Sequence, residues 1–152
     1  MTLKEYAKKR KFNETMEPSI LKKMSRKSSE QLIFTVHEHH ATHLHWDLRL
    51  QMNGVLKSWA VPKVPPIAKG TKRLAIQVED HPLDYSAFQG VIPEGNYGAG
   101  KVEIWDTGKY ELLKKYSDKM ILEFNGKKLK GKYCLIKTTF KNKKSWLFFK
   151  MN

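Results

Sequence analysis

Histidine, aspartate and arginine side chains are concentrated between His37 and Gln51, in the segment HEHHATHLHWDLRLQ. Five of the chain's six histidines fall in the first nine residues of this segment. His45, Asp47 and Arg49 occupy every second position, which is about 6.5–7 Å along a β-strand. Imidazole and carboxylate groups are ligands for divalent cations, and a guanidinium can bind two phosphate oxygens. The segment therefore predicts a metal-assisted phosphoester site built on a strand.

The residues between these polar positions are apolar. Leu44, Trp46 and Leu48 alternate with the polar side chains, and a period of two is typical of a strand with one buried face. Asn53-Gly54 follows, which is the dipeptide most typical of a two-residue hairpin turn. The return strand is predicted over 55–61, and it ends at a proline-rich stretch that cannot continue a central strand.

Short strand patterns with turn residues between them continue along the rest of the chain. The predicted strands lie at 32–36, 73–79, 102–105, 109–114, 120–124, 133–137 and 146–149, with turns at 106–108 and 125–126. Many short strands with regular turns favour a mainly β fold over alternating strands and helices. The predicted architecture is a closed or nearly closed β-barrel of short antiparallel strands with a short helical N-terminal arm.

Length and N-terminal composition indicate the domain organisation. A chain of 152 residues is expected to form one domain, 1–152, that buries a core. Residues 1–30 are basic and polar, and Thr2 and Glu5 fit a capping box at the start of a short helix. We expect this stretch to pack on the barrel as an arm; a tail without fixed contacts is the alternative.

Basic residues outnumber acidic ones, and the excess is greatest near the C-terminal end. The net charge is +14, and residues 109–152 contain 13 lysines against three acids, a surplus of ten. Such an excess indicates a polyanionic partner, with nucleic acid first and an anionic membrane surface second. A lysine-rich solvated surface explains the same composition.

Cysteine content and hydropathy indicate the compartment. Cys134 is the only cysteine and lies in an alternating apolar segment, which is typical of a buried thiol in a reducing compartment. No apolar run is long enough to cross a membrane, and the first residues do not begin a secretory signal. We expect a cytoplasmic monomer without a membrane partner.

Two short motifs suggest other chemistry and are not favoured. Gly95–Lys101 fits G-x-x-x-x-G-K, but Val102 replaces the Ser or Thr that holds magnesium, and a strand follows where a helix is needed. His43–Asp47 begins the H-x-H-x-D-H signature of metallo-β-lactamase-type hydrolases. Leu48 replaces the last histidine of that signature and belongs to the apolar face.

Four sequence blocks follow one another in a fixed order. They are H-x-A-[ST]-x-L-H-[WY]-D-[LF]-R-L at 39–50, G-V-L-K-S-W-A-V-P-K at 54–63, V-E-D-H-P-L-D-Y at 78–85 and I-P-E-G-x-Y-G-A-G-x-V-x-I-W-D-x-G at 92–108. In this combination the chain resembles the 3′-phosphoesterase domain of bacterial DNA ligase D and its free-standing relatives. The resemblance extends from about Lys9 to the C-terminus and is far more specific than any one of the blocks.

The resemblance implies a β-barrel that holds a divalent metal and trims DNA 3′ ends. The expected ion is Mn²⁺, with Zn²⁺ or Co²⁺ as other occupants. The implied reactions are removal of a terminal ribonucleoside and removal of the 3′-phosphate, which prepare the end for ligation in repair by non-homologous end joining. The implied partners are nucleic acid with 3′-ribonucleotide or 3′-phosphate ends, a separate DNA ligase and an end-binding protein.

The resemblance also assigns residues by position. The implied metal ligands are His39, His45 and Asp47. The implied phosphate-binding residues are Arg49, Lys63, Arg73 and His81. The implied catalytic residues are His81 as general acid or phosphate ligand, with Arg49, Tyr85 and Glu79. The implied supporting residues are Arg10, Glu17 and His37.

Two positions depart from the family pattern. The family often has Asp where this chain has Lys11, and Gln where this chain has His37. Both positions are expected near the site, so the departures bear on the ribonuclease step and the metal preference more than on the phosphatase step. His37 is expected to be a supporting ligand or to hydrogen-bond a ligand. The alternative function is a basic β-barrel module that binds nucleic acid, with a structural metal and no turnover.

Overall fold

The computed structural model describes residues 32–96, 98–138 and 144–151. The strands in these ranges are β1 (Leu32–His40), β2 (Leu44–Met52), β3 (Val55–Val61), β4 (Lys72–His81), β5 (Gly90–Ile92), β6 (Gly100–Lys115), β7 (Lys119–Asn125), β8 (Lys130–Lys137) and β9 (Ser145–Lys150). A short 3₁₀ helix covers Leu83–Ala87. Within the same ranges, no helix has the length and apolar character needed to span a membrane. The expected N-terminal arm, 1–30, lies outside the described residues.

Eight of the strands close into an antiparallel barrel. Hydrogen-bonded neighbours follow the order β1-β2-β3-β4-β9-β8-β7-β6, and β6 pairs again with β1. β5 is a three-residue strand beside the beginning of β6. Closure gives each wall strand a backbone partner on both sides and removes the free edges of an open sheet. The predicted mainly β, closed antiparallel barrel is confirmed.

Apolar side chains fill the interior of the barrel. Alternate residues point inward, among them Phe34 and Val36 of β1, Leu48 and Leu50 of β2, and Trp59 of β3, each at most 1% exposed. Burial of each such side chain contributes roughly 1.5–3 kcal/mol relative to exposure to water. Because the interior is a packed core, a site for a substrate must lie on the outer surface of the barrel or at one of its ends.

The β2–β3 hairpin fixes the register beside the polar strand. Asn53 has φ of 55° and Gly54 has φ of 81°, and a type I′ two-residue turn requires such left-handed values at both positions. As a consequence Met52 pairs with Val55, and Arg49 pairs with Ser58. The predicted hairpin and its return strand are confirmed.

The predicted turn at 106–108 is wrong, because β6 continues through it as one strand of 16 residues. The Asp-Thr-Gly sequence is typical of a turn, but its residues act on the neighbouring β7–β8 turn. The buried Asp106 carboxylate accepts the backbone N–H groups of residues 127–129. Gly108 lies so close to the Asn125 carbonyl that a side chain would collide with it. The aspartate and the glycine are therefore explained by a turn elsewhere in the chain.

The segment between β4 and β6 covers the outer face of β1. The His37 ring lies 3.1 Å from the carbonyl oxygen of Phe88, and the His39 ring lies 3.1 Å from that of Ala99. Both histidines are buried as a result, although they point away from the barrel core. Residues of this segment, among them Phe88 and Ala99, therefore cover part of the polar face that the sequence indicated.

Candidate active site

The polar faces of β1 and β2 meet on the outside of the barrel. In the antiparallel register His39 pairs with His45, and His37 pairs with Asp47. Side chains of residues paired in this way lie on the same face, with Cβ atoms about 4.5–5.5 Å apart. Two alternating strands therefore bring polar side chains from different parts of the sequence into one group.

His39, His45 and Asp47 offer ligand atoms that all lie within 4.8 Å of one another. Nδ1 of His39 is 3.6 Å from Oδ2 of Asp47, and Nε2 of His45 is 3.2 Å from Oδ1. Asp47 is 5% exposed and His39 is 7% exposed, so the group is shielded from bulk water. The three residues expected to hold a metal are brought together by the fold.

Backbone carbonyls engage the other ring nitrogen of each histidine. His39 Nε2 lies 3.1 Å from the Ala99 carbonyl oxygen, and His45 Nδ1 lies 3.1 Å from the carbonyl oxygen of His43. A carbonyl oxygen can only accept, so in the neutral imidazoles these nitrogens carry the protons and the nitrogens facing Asp47 carry lone pairs. Two lone pairs and a carboxylate converge on one space, an arrangement that a cation or a proton must neutralise.

The electrostatics of the group agree with this arrangement. Burial alone would raise the pKa of the Asp47 carboxyl, but its contacts with His39 and His45 and the charge of Arg49 hold that pKa well below its usual range. The hydrogen bond with Asp47 raises the pKa of His45, against the opposite effect of burial. The Asp47 carboxylate is therefore ionised at neutral pH, as a ligand for a cation must be.

Several partners hold Arg49 beside this group. Its Nε–H donates to Nδ1 of His37 at 3.0 Å, and its Nη1 donates to Oγ of Ser58 at 2.8 Å. Nη2 lies 3.3 Å from Oδ2 of Asp47, and Nη1 lies 3.1 Å from Nδ1 of His81. The guanidinium is thus fixed with its charge between Asp47 and His81, and the residue is only 4% exposed.

His37 orients this arginine. Its Nε2 lies 3.1 Å from the Phe88 carbonyl oxygen and therefore carries the proton, which leaves Nδ1 as the acceptor for Arg49. Burial and the charge of Arg49 lower the pKa of His37 to about 4, so the ring is neutral at physiological pH. The structure places His37 on the guanidinium and outside the group formed by His39, His45 and Asp47.

His81, the last residue of β4, faces Arg49 and is flanked by Tyr85. Its Nδ1 lies 3.1 Å from Arg49 Nη1 and 3.0 Å from the Glu79 carbonyl oxygen, two contacts that require opposite tautomers. Burial and the charge of Arg49 lower the pKa of His81. The centroid of the Tyr85 ring lies 5.0 Å from that of His81 and 4.9 Å from Cζ of Arg49. Burial raises the pKa of the Tyr85 hydroxyl.

The remaining expected site residues lie at the margin of this group or outside the described ranges. Lys63 is exposed, two residues beyond the end of β3. Arg73 donates its Nε–H at 2.8 Å to a carbonyl of the loop that follows β3, and so holds the loop that carries Lys63. Glu79 is exposed and contacts the group through its backbone carbonyl. Arg10 and Glu17 are not among the described residues.

Sequence reasoning missed three groups of the site, namely the Ser58 hydroxyl and the backbone carbonyls of Phe88 and Ala99. The hairpin turn could have indicated Ser58, because a two-residue turn fixes which residues face each other. The carbonyls have no side-chain signal. Gly100, where the covering segment joins β6, does carry a sequence signal, since its φ is 122° and any side chain there would collide with the His40 carbonyl.

A second group of ligand-type side chains, Glu38, His40 and Glu103, lies on the opposite face of β1. Glu38 is 2.8 Å from Nε2 of His40 and accepts a hydrogen bond from Nε1 of Trp46 at 3.2 Å. Glu103 pairs with Lys101 at 2.8 Å. Because each carboxylate already has a partner, we infer that this group stabilises the end of the barrel.

Several known proteins of similar sequence have names that state a function. The sequence profile described as the DNA ligase D 3′-phosphoesterase domain matches residues 37–137. The chain is 49% identical over 152 residues to the multifunctional non-homologous end joining protein LigD of Pseudomonas aeruginosa, covering 96% of this chain and 18% of that protein. Similar proteins of Mycobacterium bovis and Mycobacterium tuberculosis are 48% identical over 118 residues, covering 75% of this chain and 15% of each. The chain thus spans less than a fifth of the length of these relatives.

Two imidazoles and a carboxylate that could hold a cation, with a fixed guanidinium beside them, suit a hydrolase that acts on phosphate esters. The match extends over most of the barrel and includes the whole His39–Asp47 group. The chain belongs to the DNA ligase D 3′-phosphoesterase domain family. The resemblance indicated by the four sequence blocks is thereby confirmed.

Proposed function

We propose that this chain is a metal-dependent phosphoesterase that processes the 3′ ends of nucleic acid before ligation in DNA repair. The proposed reactions are removal of a 3′-phosphate and removal of a 3′-terminal ribonucleoside. The observation that carries the proposal is the convergence of His39 Nδ1, His45 Nε2 and the Asp47 carboxylate beside a buried arginine. The relatives' names, which refer to non-homologous end joining, support the repair context.

The donor set suits a divalent cation. Two imidazole nitrogens with lone pairs and one ionised carboxylate form a set that leaves coordination positions for water and a phosphate oxygen. When bound, the cation would neutralise the charge that develops on the phosphoryl oxygens. We propose Mn²⁺ as the ion on the basis of the family resemblance, with Zn²⁺ and Co²⁺ as other occupants because they accept the same ligand types.

Arg49 is the proposed phosphate-binding and catalytic group. His37 and Ser58 hold it in place before substrate arrives, so little side-chain freedom is lost on binding. A phosphate that enters between Asp47 and His81 would receive paired hydrogen bonds from the guanidinium. The fixed positive charge would then stabilise the additional negative charge of the transition state.

His81 is proposed to bind phosphate and to act as the general acid. In the free protein burial and the Arg49 charge lower the pKa of His81. A phosphate beside Arg49 would offset that charge and favour protonation of the ring. The protonated ring would donate Nδ1–H to the Glu79 carbonyl, 3.0 Å away, and Nε2–H to the ester. A proton would thus be available for the leaving oxygen, which is a poor leaving group without one.

The other site residues are proposed to support these two. Tyr85 packs against both the Arg49 guanidinium and the His81 ring and limits their movement. Glu79 is proposed to act beside His81, whose ring nitrogen its carbonyl contacts. The further proposed phosphate contacts are Lys63 and Arg73, and the proposed contributions of the N-terminal arm are Arg10 and Glu17.

The proposed substrate is nucleic acid with 3′-ribonucleotide or 3′-phosphate ends. A net charge of +14 supports a polyanionic substrate. A separate DNA ligase and an end-binding protein are proposed as partners, since the much longer relatives are named as multifunctional end-joining proteins. We propose a single domain over 1–152 that acts as a cytoplasmic monomer.

The test is conversion of a 3′-phosphate primer to a 3′-hydroxyl primer with and without Mn²⁺. The wild-type chain should show metal-dependent conversion, and His45→Ala or Asp47→Ala should abolish it while circular dichroism remains native. His40→Ala is the matched control, because His40 belongs to the opposite face of β1. Unchanged turnover in both His45→Ala and Asp47→Ala would remove the assigned metal site. DNA binding that is sensitive to salt, without turnover, would instead favour the alternative function, a basic β-barrel module that binds nucleic acid.

A further inference from the structure

The barrel wall opposite the candidate active site is apolar on its outside. In the ring of eight strands β8 lies four places from β2, which carries Asp47 and Arg49. Residues of β4, β9, β8 and β7 that alternate with core positions point outward from this wall. The outward-facing apolar residues, called here the β8 face, are Leu74, Ile76, Ile121, Ile136, Leu147 and Phe149, all half-buried, and the buried Cys134.

Strand register arranges most of the β8 face in two rows that run across four strands. The first row is Leu74, Leu147, Ile136 and Lys119. The second row is Lys72, Phe149, Cys134 and Ile121. Because neighbouring strands lie about 4.8 Å apart, each row is about 14 Å long, with three apolar or thiol side chains and one lysine. The two lysines stand at opposite margins of an apolar strip.

The lysines are close to the apolar side chains. Nζ of Lys72 lies 5.1 Å from the centroid of the Phe149 ring. Lys72 pairs with Phe149 and Lys119 pairs with Ile136, so the register places both lysines beside the apolar side chains, and both charges act to lower the pKa of the Cys134 thiol. The strip is therefore apolar in the middle and positive on two sides.

A cavity continues the β8 face at one end. It has a volume of about 320 Å³ beside Phe149, and its lining includes Lys69, Lys72, Lys150 and Met151. The depression is large enough for one side chain, its lining is mainly apolar, and three lysines contribute to its wall.

We propose that the β8 face is a docking surface for an acidic, amphipathic segment of a partner protein. The seven apolar or thiol side chains adjoin one another on the outer wall. Contiguous apolar surfaces of this kind mark interaction sites, whereas single exposed apolar residues do not. A helix about 10 Å in diameter fits a strip about 14 Å wide, with apolar residues on the strip and acidic residues toward the lysines. Charge complementarity with Lys72, Lys119 and the lysines of the cavity selects the acidic partner.

A second copy of the chain is a poor occupant of this face, because it carries the whole net charge of +14 and would bring positive charge to a positive margin. The 3₁₀ helix, the one helical element in the described ranges, packs on β1 and β3 at the opposite wall. A partner on the β8 face would leave the candidate active site open to a nucleic-acid end.

The test uses the full chain and two synthetic helical peptides with the same leucine face. One peptide carries glutamates beside the leucines, and the other carries lysines. Only the acidic peptide is expected to shift the NMR signals of Ile136 and Phe149 and to slow alkylation of Cys134. The double variant Lys72→Glu/Lys119→Glu should weaken binding about tenfold or more. Lys127→Glu is the matched control, because Lys127 is exposed in the β7–β8 turn beyond the two rows and should change affinity less than about twofold.

Three outcomes would overturn the proposal. The first is equal binding, or no binding, of the two peptides. The second is a DNA duplex that shifts the same NMR signals and loses affinity in the double variant while the acidic peptide does not bind. The third is self-association in sedimentation equilibrium that the double variant changes, which would make the face a contact between copies. Turnover of a 3′-phosphate primer should be unaffected by the lysine variants, so a failure here is distinct from a failure of the proposed activity.

Discussion

Arg49 donates its Nε–H to Nδ1 of His37 over 3.0 Å, at a position where His37 is fully buried. The arginine therefore needs an acceptor at position 37, and a glutamine side chain can supply one. We expect His37→Gln to retain most of the 3′-phosphatase activity and His37→Leu to lose about 10–100-fold in kcat. Bound metal, measured by elemental analysis, should be unchanged in both, since His37 lies outside the His39–His45–Asp47 group. Equal kcat values for the two variants would contradict the positioning role.

Removal of the proposed divalent ion should lower thermal stability, because an ion held by His39, His45 and Asp47 would link β1 to β2 and offset the charge of the buried Asp47. An ion present at about 100 times its Kd stabilises the folded state by about 2.7 kcal/mol. For a chain of this size that free energy corresponds to roughly 5–10 °C in Tm. We expect EDTA to lower the Tm of the wild-type chain by this amount in calorimetry and to have no effect on Asp47→Asn. A full EDTA effect in that variant would place the ion elsewhere, with the Glu38, His40 and Glu103 group as the first alternative.

Asp106 is expected to matter for stability and not for turnover. Its buried carboxylate accepts the N–H groups of residues 127–129, so Asp106→Ala would leave the buried N–H of Leu129 and two part-buried N–H groups without this acceptor. We expect a loss of about 2–4 kcal/mol in the free energy of unfolding, measured by urea denaturation. Asp118→Ala is the matched control, because Asp118 is exposed, and it should cost less than about 0.5 kcal/mol. A comparable loss in both variants would show that the turn does not depend on this carboxylate.

Much of the site follows from local sequence pattern. The alternation at His45, Asp47 and Arg49 places these side chains on one face of β2, and Asn53-Gly54 sets the register with β3. Both features depend only on residues close in sequence, so they could be predicted. The pairing of β1 with β2 also joins neighbouring strands, and it brings His39 to the same group.

The rest of the site depends on contacts between distant parts of the chain. The carbonyls of Phe88 and Ala99, which fix the tautomers of His37 and His39, come from a covering segment whose path no side-chain pattern indicates. The prediction of a turn at 106–108 is wrong for the same reason, because Asp106 in this Asp-Thr-Gly sequence accepts hydrogen bonds from the distant β7–β8 turn. Local propensity cannot tell whether an Asp-Thr-Gly sequence forms a turn itself or lies in a strand whose aspartate accepts hydrogen bonds from a different turn.

The single thiol of the chain gives a pH-dependent test of the β8 face. Burial raises the pKa of Cys134, and the charges of Lys119 and Lys72 act in the opposite direction. The thiolate is the reactive form, so the rate of alkylation by iodoacetamide should rise with pH and reach half of its plateau at a higher pH than for an unshifted thiol. Lys119→Met removes a charge that lowers this pKa and should move the rate curve to higher pH.

The same shift has a consequence for stability. The folded chain keeps the Cys134 proton to a higher pH than the unfolded chain, so this stabilising contribution is present at neutral pH and is lost as the pH rises through the folded-state pKa.

Because Cys134 is the only cysteine, mass spectrometry of the alkylated chain reports on this site alone. Lys127→Met, in the β7–β8 turn, is the matched control and should leave the curve unchanged. A native-state rate curve at or below the pH of an unshifted thiol would contradict the effect of burial, and a curve that does not move, or moves to lower pH, in Lys119→Met would place Lys119 away from the thiol.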